Sequence, residues 1–354
     1  MNIYNTRDAQ ITILENNNIK KIYLELSSEC NFDCKMCFRN SYYSTGGLMS
    51  ENVLDRVKSE IEKLPNLQEV VLGGIGEPLM HPHISDVISY IKSRGIFLSI
   101  NTNGSLLHSL IDFLVKYEVD KIVLSFETGD IGHPPEKSTI DSIKKIIAKR
   151  DSQKKGSPII SVQFVVHNHN IPDLTETAAQ LLKIGVTEII ISNLLPVNKN
   201  HSELILYPGE EPEKIKEFKS KMTARLHLVL PYFEIKTERF CNFIEQNAIV
   251  IRWDGEVAPC YRFLHAGKEI VLDKSKEIIP CSFGNIKNKS LLEIWNEREY
   301  TWFRFKVRNS LYPSCIDCKF REGCSYLETT EIDCWGNRFS CADCLWYRGV
   351  IICP

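Results

Sequence analysis

The sequence predicts an α/β fold in which a partial (β/α)6 barrel precedes a C-terminal cysteine-rich domain. Two observations carry this prediction. Six short β-rich segments alternate with five helical segments over residues 20–195, the order expected of a parallel sheet with crossover helices. The cysteines lie at the two ends of the chain, three in residues 30–37 and ten in residues 241–353, with none between them. Six βα units are too few to close an eight-stranded barrel, so we expect an open one.

Hydrophobic periodicity and the turn residues at each end define the individual elements. The strands are predicted at residues 22–26, 69–72, 97–100, 121–126, 159–166 and 188–192. The helices between them are predicted at residues 51–64, 84–93, 106–116, 138–150 and 173–184. In the first helix, Val53, Val57 and Ile61 recur on one face. Ser50 is a suitable N-cap for it, and Pro65 follows its last turn.

Four regions follow from this order of elements. We expect an N-terminal extension at 1–19, the barrel at 20–200, a linker with one helix and a short β-like piece at 201–240, and the cysteine-rich domain at 241–354.

Composition excludes several classes of function. Lys and Arg total 43 against 45 Asp and Glu, a net charge of -2, which gives no sign of a nucleic-acid-binding surface. No stretch approaches the roughly 20 apolar residues of a membrane span, and the polar N-terminus does not match a signal peptide. We therefore expect a cytoplasmic protein that binds no membrane. In that compartment thiols stay reduced, so thirteen cysteines indicate metal binding rather than disulfides.

Cys30, Cys34 and Cys37 form the most informative motif, a C-x3-C-x2-C loop directly after the first predicted strand. Three thiolates can hold three irons of a four-iron cluster and leave the fourth open, and an open position is where a metal centre does chemistry. The plainer alternatives are a zinc site completed by a distant residue and a set of buried free cysteines.

Polar motifs also end the next three strands, at the edge where parallel α/β folds bind their ligands. The second strand ends in Gly73-Gly-Ile-Gly-Glu77, whose glycines allow close approach of the backbone and whose carboxylate can pair with an ammonium group. Asn101 and Asn103 end the third strand, although Asn-Gly is also a common turn pair. Ser125 and Glu127 end the fourth strand. His81 is expected to shape a loop rather than to catalyse.

The C-terminal cysteines are candidate metal ligands. They are Cys241, Cys260, Cys281, Cys315, Cys318, Cys324, Cys334, Cys341, Cys344 and Cys353. Two C-x2-C pairs, at 315 and 341, leave a zinc site open as the alternative to iron–sulfur clusters. Ten thiols exceed the eight that two four-iron clusters need.

On these motifs the chain resembles the radical S-adenosylmethionine (SAM) superfamily, whose signature is C-x3-C-x-aromatic-C. This chain has Met36 before Cys37 and Phe38 after it, a small departure from that signature. The resemblance implies that SAM binds the open iron of the cluster and is cleaved reductively to a 5'-deoxyadenosyl radical. It also implies a set of SAM-binding residues: Gly73, Gly74, Gly76, Glu77, Asn101, Asn103, Ser125 and Glu127.

The C-terminal region resembles the SPASM extension of that superfamily, through Cys-x13-Gly-x4-Cys and the later Cys-x2-Cys-x5-Cys. This resemblance implies one or two auxiliary four-iron clusters. The candidate ligands are Cys241, Cys260, Cys315, Cys318, Cys324, Cys334, Cys341, Cys344 and Cys353. At least one of these nine must be spare, and spacing does not decide which of Cys341, Cys344 and Cys353 are ligands. Cys281 falls outside the pattern and is expected to be a spare thiol. The family often has a cysteine where this chain has Glu328, and Cys334 is the nearest substitute.

Three short sequence segments resemble those of one subgroup, the SPASM proteins associated with tungsten-dependent aldehyde oxidoreductases. The matching segments are Cys34-Lys-Met-Cys-Phe-Arg-Asn-Ser41, Gly76-Glu-Pro-Leu-Met-His-Pro82 and the tail from Asp333 to Pro354. The resemblance implies a maturase that acts on a partner oxidoreductase, its tungsten–pterin cofactor or an associated peptide. An electron donor such as ferredoxin or flavodoxin would supply the enzyme with electrons.

Two alternatives stay open. One is a radical SAM enzyme that makes thioether or carbon–carbon crosslinks in a peptide, which the short segment before the first strand disfavours. The other is a non-catalytic iron–sulfur or zinc scaffold.

Overall fold

A computed structural model of the chain describes residues 1–43, 46–126 and 136–353. Its strands in these ranges are β1 (Asn2–Asn5), β2 (Gln10–Ile13), β3 (Lys21–Leu24), β4 (Glu69–Leu72), β5 (Phe97–Thr102), β6 (Lys121–Ser125), β7 (Ile159–Val166), β8 (Glu188–Asn193), β9 (His227–Val229), β10 (Ala248–Ile251), β11 (Val257–Ala258), β12 (Gly267–Val271) and β13 (Lys274–Ile278). Its α-helices are α1 (Glu51–Ile61), α2 (Ile84–Ser93), α3 (Ile111–Lys116), α4 (Glu136–Ser152), α5 (Leu174–Lys183), α6 (Lys199–Ser202), α7 (Glu213–Met222), α8 (Asn242–Glu245), α9 (Leu291–Asn296) and α10 (Arg298–Arg308).

One nine-stranded sheet organises the molecule, in the order β11-β10-β3-β4-β5-β6-β7-β8-β9. Strands β3 to β8 are the six predicted strands, and they pair in parallel in sequence order. The predicted α/β class with a partial parallel barrel is therefore confirmed.

Three further strands extend this sheet beyond the predicted barrel. Strand β9 pairs in parallel with β8. On the other side β10 pairs in parallel with β3, and β11 closes that edge antiparallel to β10. Since β10 and β11 come from the cysteine-rich region, the predicted domain boundaries cut across a continuous sheet. The apolar run Ala248-Ile-Val-Ile251 carries no local sign of a partner so far away in sequence.

The two faces of the sheet pack differently. Ile22, Leu24 and Val70 lie in the large core under the outer helices. Tyr23 and Val71 point to the opposite face, into a second core that the cysteine-rich region completes. A parallel sheet covered on both faces explains why these strands are apolar at nearly every position.

Two local features differ from the sequence prediction. The helix expected over 106–116 begins as a 3-10 turn at Leu107–Ser109, and only Ile111–Lys116 is α-helical. The expected N-terminal extension contains the β1–β2 hairpin. This hairpin packs on the C-terminal helices, where the Tyr4 hydroxyl donates to the Arg298 carbonyl at 2.7 Å and the Tyr4 ring stacks on Trp302.

The C-terminal segment crosses the carboxyl ends of the barrel strands. The Ile352 amide donates to Ser192 Oγ at 3.0 Å, and Gln163 Nε2 donates to the Ile352 carbonyl at 3.3 Å. Asn193 Nδ2 donates to the Val350 carbonyl at 3.1 Å. The C-terminal segment therefore covers part of the barrel interior. Among the described helices, none has the length and apolar character needed to cross a membrane.

Candidate active site

A cavity of about 240 Å³ lies at the carboxyl ends of the barrel strands. Among the residues that line it are Cys30, Cys34, Cys37, Gly73, Gly74, Gly76, Glu77, Asn101, Asn103 and Ser125. All of these residues were predicted from the sequence as site residues, and in the structure they line one cavity. Glu127, the remaining candidate there, lies outside the described residues.

The cysteine loop is held in shape by its own backbone and by a neighbouring helix. The Cys37 amide donates to the Cys34 carbonyl at 3.1 Å, and Asn40 Nδ2 donates to the same carbonyl at 3.0 Å. His201 Nε2, on α6, lies 3.1 Å from the Lys35 carbonyl oxygen. The three cysteines are each half-buried, and all three line the cavity.

Asn103 connects the end of β5 to the cysteine loop. Its Nδ2 lies 3.6 Å from Cys30 Sγ and donates to Asn31 Oδ1 at 2.9 Å. Its Oδ1 accepts from both the amide and the hydroxyl of Ser105. Hydrogen bonds to a ligand sulfur tune the reduction potential of a cluster, so Asn103 is positioned to act on a cluster that Cys30 would hold.

The glycines after β4 pack directly on the chain that leads to Cys30. A Cβ at Gly76 would lie 2.2 Å from the Glu29 carbonyl oxygen and 2.5 Å from that of Ser27. Gly74 has φ +121°, and a Cβ there would lie 2.8 Å from Glu25 Cγ. From the sequence, these glycines were predicted to let the backbone come close to a ligand. The structure adds that the protein's own backbone requires them.

Glu77 is buried and already holds three donors. Its carboxylate accepts from the Leu79 amide at 3.0 Å, from Thr102 Oγ1 at 2.8 Å and from the Asn103 amide at 2.8 Å. Burial raises the pKa of this carboxyl, although all three hydrogen bonds act in the opposite direction. A carboxylate has about four acceptor positions. Glu77 therefore joins β4 to β5 and keeps capacity for one further donor.

Glu25 and His265 form a buried pair that the sequence analysis did not identify. His265 Nε2 lies 3.0 Å and 3.1 Å from the two carboxylate oxygens of Glu25. Glu25 also accepts from the Ile75 amide at 3.3 Å. The pair thus connects the glycine motif to the cysteine-rich region. In the sequence, the feature that could have indicated this pair is Glu25 itself, a carboxylate near the end of an otherwise apolar strand.

Three cavity-lining residues each have a buried polar atom without a hydrogen-bond partner among the described residues. These atoms are Asn101 Oδ1, Asn193 Oδ1 and Tyr261 Oη. Buried polar groups in native proteins are nearly always satisfied, so these atoms indicate a polar ligand in the cavity. Together with three thiols at one wall, they fit a four-iron cluster carrying SAM. Tyr261 was not a sequence candidate, because only tertiary packing of the cysteine-rich region brings it here.

Four C-terminal cysteines form a first group, Cys241, Cys260, Cys341 and Cys344. Burial raises the pKa of all four thiols, to about 12 for Cys241. The Cys344 thiol raises the pKa of the other three further, and Cys241 does the same for Cys260 and Cys341. Electrostatic influence falls with distance, and all four cysteines lie in or pack against the large core, so they share one region of the fold.

Cys315, Cys318, Cys324 and Cys334 form a second group. Burial raises the pKa of Cys315 to about 12, and Cys334 and Cys324 contribute to that shift. Burial also raises the pKa of Cys334, with contributions from Cys324 and Cys318. Cys318 and Cys334 are exposed, so this group lies nearer the surface than the first. Among the residues that the structure describes, no three His, Cys, Asp or Glu side chains converge as they would on a single metal ion.

The remaining C-terminal cysteines are Cys281 and Cys353, and Cys353 packs against the same apolar cluster as Cys241 and Cys260. Cys281 is buried, and its amide donates to the Phe263 carbonyl at 3.0 Å. Cys353 lines the cavity, and its Sγ accepts a hydrogen bond from Trp346 Nε1 at 2.9 Å. Burial raises the pKa of the Cys353 thiol to about 12.

A buried charge network connects the two cysteine groups. Arg262 binds Glu269 and lies 3.0 Å from Asp343, which also binds Lys276. All four side chains are at most 3% exposed, so two cations and two anions compensate one another away from water. Burial opposes ionisation of Asp343, but Lys276 and Arg262 outweigh it and lower its pKa to about 2.

Comparison with known proteins identifies the class of this chain. The model of the Radical SAM superfamily matches residues 24–222, and that of the SPASM iron–sulfur cluster-binding domain matches residues 241–319. The chain belongs to the radical SAM superfamily and carries a SPASM domain.

One relative is similar along almost the whole chain. The tungsten-containing aldehyde ferredoxin oxidoreductase cofactor-modifying protein of Pyrococcus furiosus is 41% identical over 346 residues, which is 95% of this chain and 97% of the relative. The radical SAM cyclopropyl synthase TigE of Paramaledivibacter caminithermalis is 31% identical, over 87% of this chain and 67% of TigE.

Solved structures share the fold. Streptococcus suis SuiB bound to S-adenosylmethionine aligns with a TM-score of 0.60 at 15% identity, covering 87% of this chain and 73% of SuiB. The structure of anSMEcpe with bound AdoMet aligns with a TM-score of 0.55 at 17% identity, covering 87% of this chain and 85% of that one.

The predicted family, enzyme class and cofactors are thereby confirmed: a radical SAM enzyme with a SAM-binding four-iron cluster and auxiliary iron–sulfur clusters. When bound, the cluster and SAM supply reductive cleavage of SAM to a 5'-deoxyadenosyl radical. The hypothesis of a non-catalytic scaffold is set aside.

Proposed function

We propose that this enzyme modifies the cofactor of a tungsten-containing aldehyde ferredoxin oxidoreductase. The observation that carries the proposal is the 41% identity, over 95% of this chain, to a protein named for that activity. The identity extends through the cysteine-rich region as well as the barrel, so the proposal does not rest on the radical-generating part alone. A reduced cytoplasm suits a chain with thirteen cysteines, and we place the protein there.

Cys30, Cys34 and Cys37 are the proposed ligands of the SAM-binding cluster. Glu77 has one acceptor position left for the SAM ammonium group, and Asn101 Oδ1 and Tyr261 Oη are further partners for the bound molecule. Support comes from their common cavity and from the absence of protein partners for those two atoms among the described residues.

The two groups of four thiols are the proposed auxiliary cluster sites. Each group has the number of ligands that one four-iron cluster needs. The second group, with Cys318 and Cys334 exposed, lies where an external carrier such as ferredoxin or flavodoxin can deliver electrons. In the first group, Cys241 and Cys260 pack against the same apolar cluster as Cys353, which lines the cavity.

Single substitutions test these ligand sets. Cys34→Ala is expected to abolish formation of 5'-deoxyadenosine from SAM while about eight of about twelve irons per chain remain. Cys334→Ala should remove about four irons from the second group and leave the SAM-binding cluster in place. Cys281→Ala is the matched control and should keep all the iron. Full SAM cleavage by the Cys34 variant would refute the assignment.

The substrate is tested in cells that produce a tungsten aldehyde oxidoreductase together with this enzyme or its Cys34→Ala variant. The oxidoreductase is then purified, and the masses of its released pterin cofactor and of its polypeptide are measured. A cofactor mass that differs between the two preparations supports the proposal. A difference confined to the polypeptide would favour peptide modification instead, and identical masses throughout would contradict both.

A further inference from the structure

We propose that Cys353 is a catalytic thiol that donates a hydrogen atom inside the SAM cavity, and that it is not a cluster ligand. The proposal rests on the SAM cleavage assigned above. It replaces the sequence-based expectation that Cys353 holds an auxiliary cluster.

The number of ligands that the clusters need does not require Cys353. The triad of Cys30, Cys34 and Cys37 accounts for three cysteines, and each C-terminal group already has the four thiols of one cluster, although Cys353 packs against the same apolar cluster as Cys241 and Cys260. Of the two cysteines left, Cys281 is buried, and its amide donates to the Phe263 carbonyl. Cys353 is the one that lines the same cavity as Cys30, Cys34 and Cys37.

The position of the Cys353 thiol is fixed by the barrel. Trp346 Nε1 donates to Cys353 Sγ at 2.9 Å, which occupies a lone pair of the sulfur and leaves the S–H hydrogen free to point elsewhere. The preceding residue is anchored at both its amide and its carbonyl, by Ser192 and Gln163 respectively. Ordered backbone and a side-chain donor together hold the sulfur at the cavity wall.

A second observation places a ligand beside this thiol. Asn193 is 1% exposed and Tyr261 is 4% exposed, yet Asn193 Oδ1 and Tyr261 Oη have no partner in the part of the chain that the structure describes. Both residues line the cavity together with Cys353. Asn193 also binds the Val350 carbonyl through its Nδ2, so the unsatisfied oxygen belongs to the side chain that anchors the C-terminal segment. These atoms form a polar subsite next to the S–H group.

The proposed step is the transfer of one hydrogen atom from a thiol to a carbon radical. A carbon radical in the cavity takes the hydrogen atom of the Cys353 S–H group, so a C–H bond forms, the S–H bond breaks and a thiyl radical remains. The transfer is downhill because an S–H bond is weaker than an alkyl C–H bond. One electron and one proton restore the thiol. The electron comes from an iron–sulfur donor, for which the first group is the proposed source, because Cys241 and Cys260 pack against the same apolar cluster as Cys353. The proton comes from solvent.

The test uses the holoenzyme with SAM alone, in D2O, with dithionite as the reductant and no second substrate. Thiol hydrogens exchange with solvent, so Cys353 carries deuterium under these conditions. We expect wild-type protein to form 5'-deoxyadenosine that contains one added deuterium. Cys353→Ser should lower the deuterated fraction to background, because a hydroxyl O–H bond is too strong to give up its hydrogen atom. Cys281→Ser is the matched control and should keep the wild-type deuterium content.

The outcomes separate this inference from the proposed function. If wild-type protein forms no 5'-deoxyadenosine, the protein does not cleave SAM, and the proposed function is refuted together with this inference. If it forms 5'-deoxyadenosine without deuterium, or if Cys353→Ser keeps the deuterium, the role of Cys353 is refuted. Iron content is an independent measurement: Cys353→Ser should keep the wild-type iron content, and loss of about four irons would identify Cys353 as a cluster ligand and overturn the proposal.

Discussion

Among the described glycines, Gly76 is the one where an added Cβ would make the shortest contact, at 2.2 Å. A Cβ there would meet two backbone oxygens, of Glu29 and Ser27, and neither can move without displacing the chain before Cys30. We expect Gly76→Ala to lower the free energy of unfolding by about 3 kcal/mol and to weaken SAM binding, because the cysteine loop must shift. Urea unfolding and a SAM titration measure the two effects. Gly156→Ala, where no atom lies within 4 Å of the added Cβ, is the control. Equal behaviour of the two variants would contradict this packing account.

At the residue scale, the sequence predicts what is encoded locally. The triad and the glycine motif are short runs whose spacing carries their chemistry. Glu25, Tyr261 and His265 were not predicted, because each acquires its place from a contact between distant parts of the chain. Asn103 was predicted as a SAM contact, but its distance to Cys30 Sγ depends on how β5 lies against the cysteine loop.

Glu188 joins four neighbouring strands at their amino-terminal ends. It binds Lys121 of β6, accepts from Ser161 of β7 at 2.8 Å and pairs with His227 of β9 at 2.8 Å. Burial opposes its ionisation, but the bonds from Lys121, Ser161 and His227 outweigh burial and lower the pKa of the carboxyl. This carboxylate therefore stabilises the order of strands β6 to β9.

A lowered pKa in the folded state gives a defined pH dependence. The stabilisation is complete above the unfolded-state pKa of about 4.3 and is lost as the pH falls through the lowered folded-state value. At pH 7 we expect Glu188→Gln to cost about 2 kcal/mol of unfolding free energy. The difference from wild type should shrink as the pH is lowered below about 4. Urea unfolding of both proteins across this range measures it. A difference that grows on acidification would contradict the assignment.

At the element scale, the sequence predicts the bounds of a helix or strand correctly where the element has a hydrophobic period and turn residues at both ends. Strands β4 and β7 and helix α2 have the predicted bounds. Strands β10 and β11 were missed because a short apolar run or a residue pair becomes a strand only through its partner. The broken helix before α3 was missed because its hydrophobic period continues through the 3-10 turn.

The molecule as a whole is built on a sheet that both predicted domains share. Strand β10 lies between β3 and β11, and Phe243, Ala258 and Tyr261 cover the inner face of Tyr23 and Val71. The strand that carries the triad loop therefore depends on the cysteine-rich region for its neighbour and for part of its core.

Removal of residues 241–354 should therefore prevent stable folding. The truncated chain would expose the edge of β3 and an apolar face, and we expect it to aggregate. Size-exclusion chromatography measures this. Deletion of residues 1–14, which removes the β1–β2 hairpin but leaves the nine-stranded sheet intact, is the control and should stay soluble. A monomeric, cooperatively folded 1–240 fragment would show that the barrel is independent of the C-terminal region.

The most direct test of the central claim, that Cys30, Cys34 and Cys37 hold an open cluster that binds SAM, is electron paramagnetic resonance of the reduced, iron-loaded protein with and without SAM. We predict that SAM changes the spectrum of wild-type protein. In Cys34→Ala the auxiliary signals should persist and show no response to SAM. A wild-type spectrum that SAM leaves unchanged, or a variant that still responds to SAM, would contradict the account.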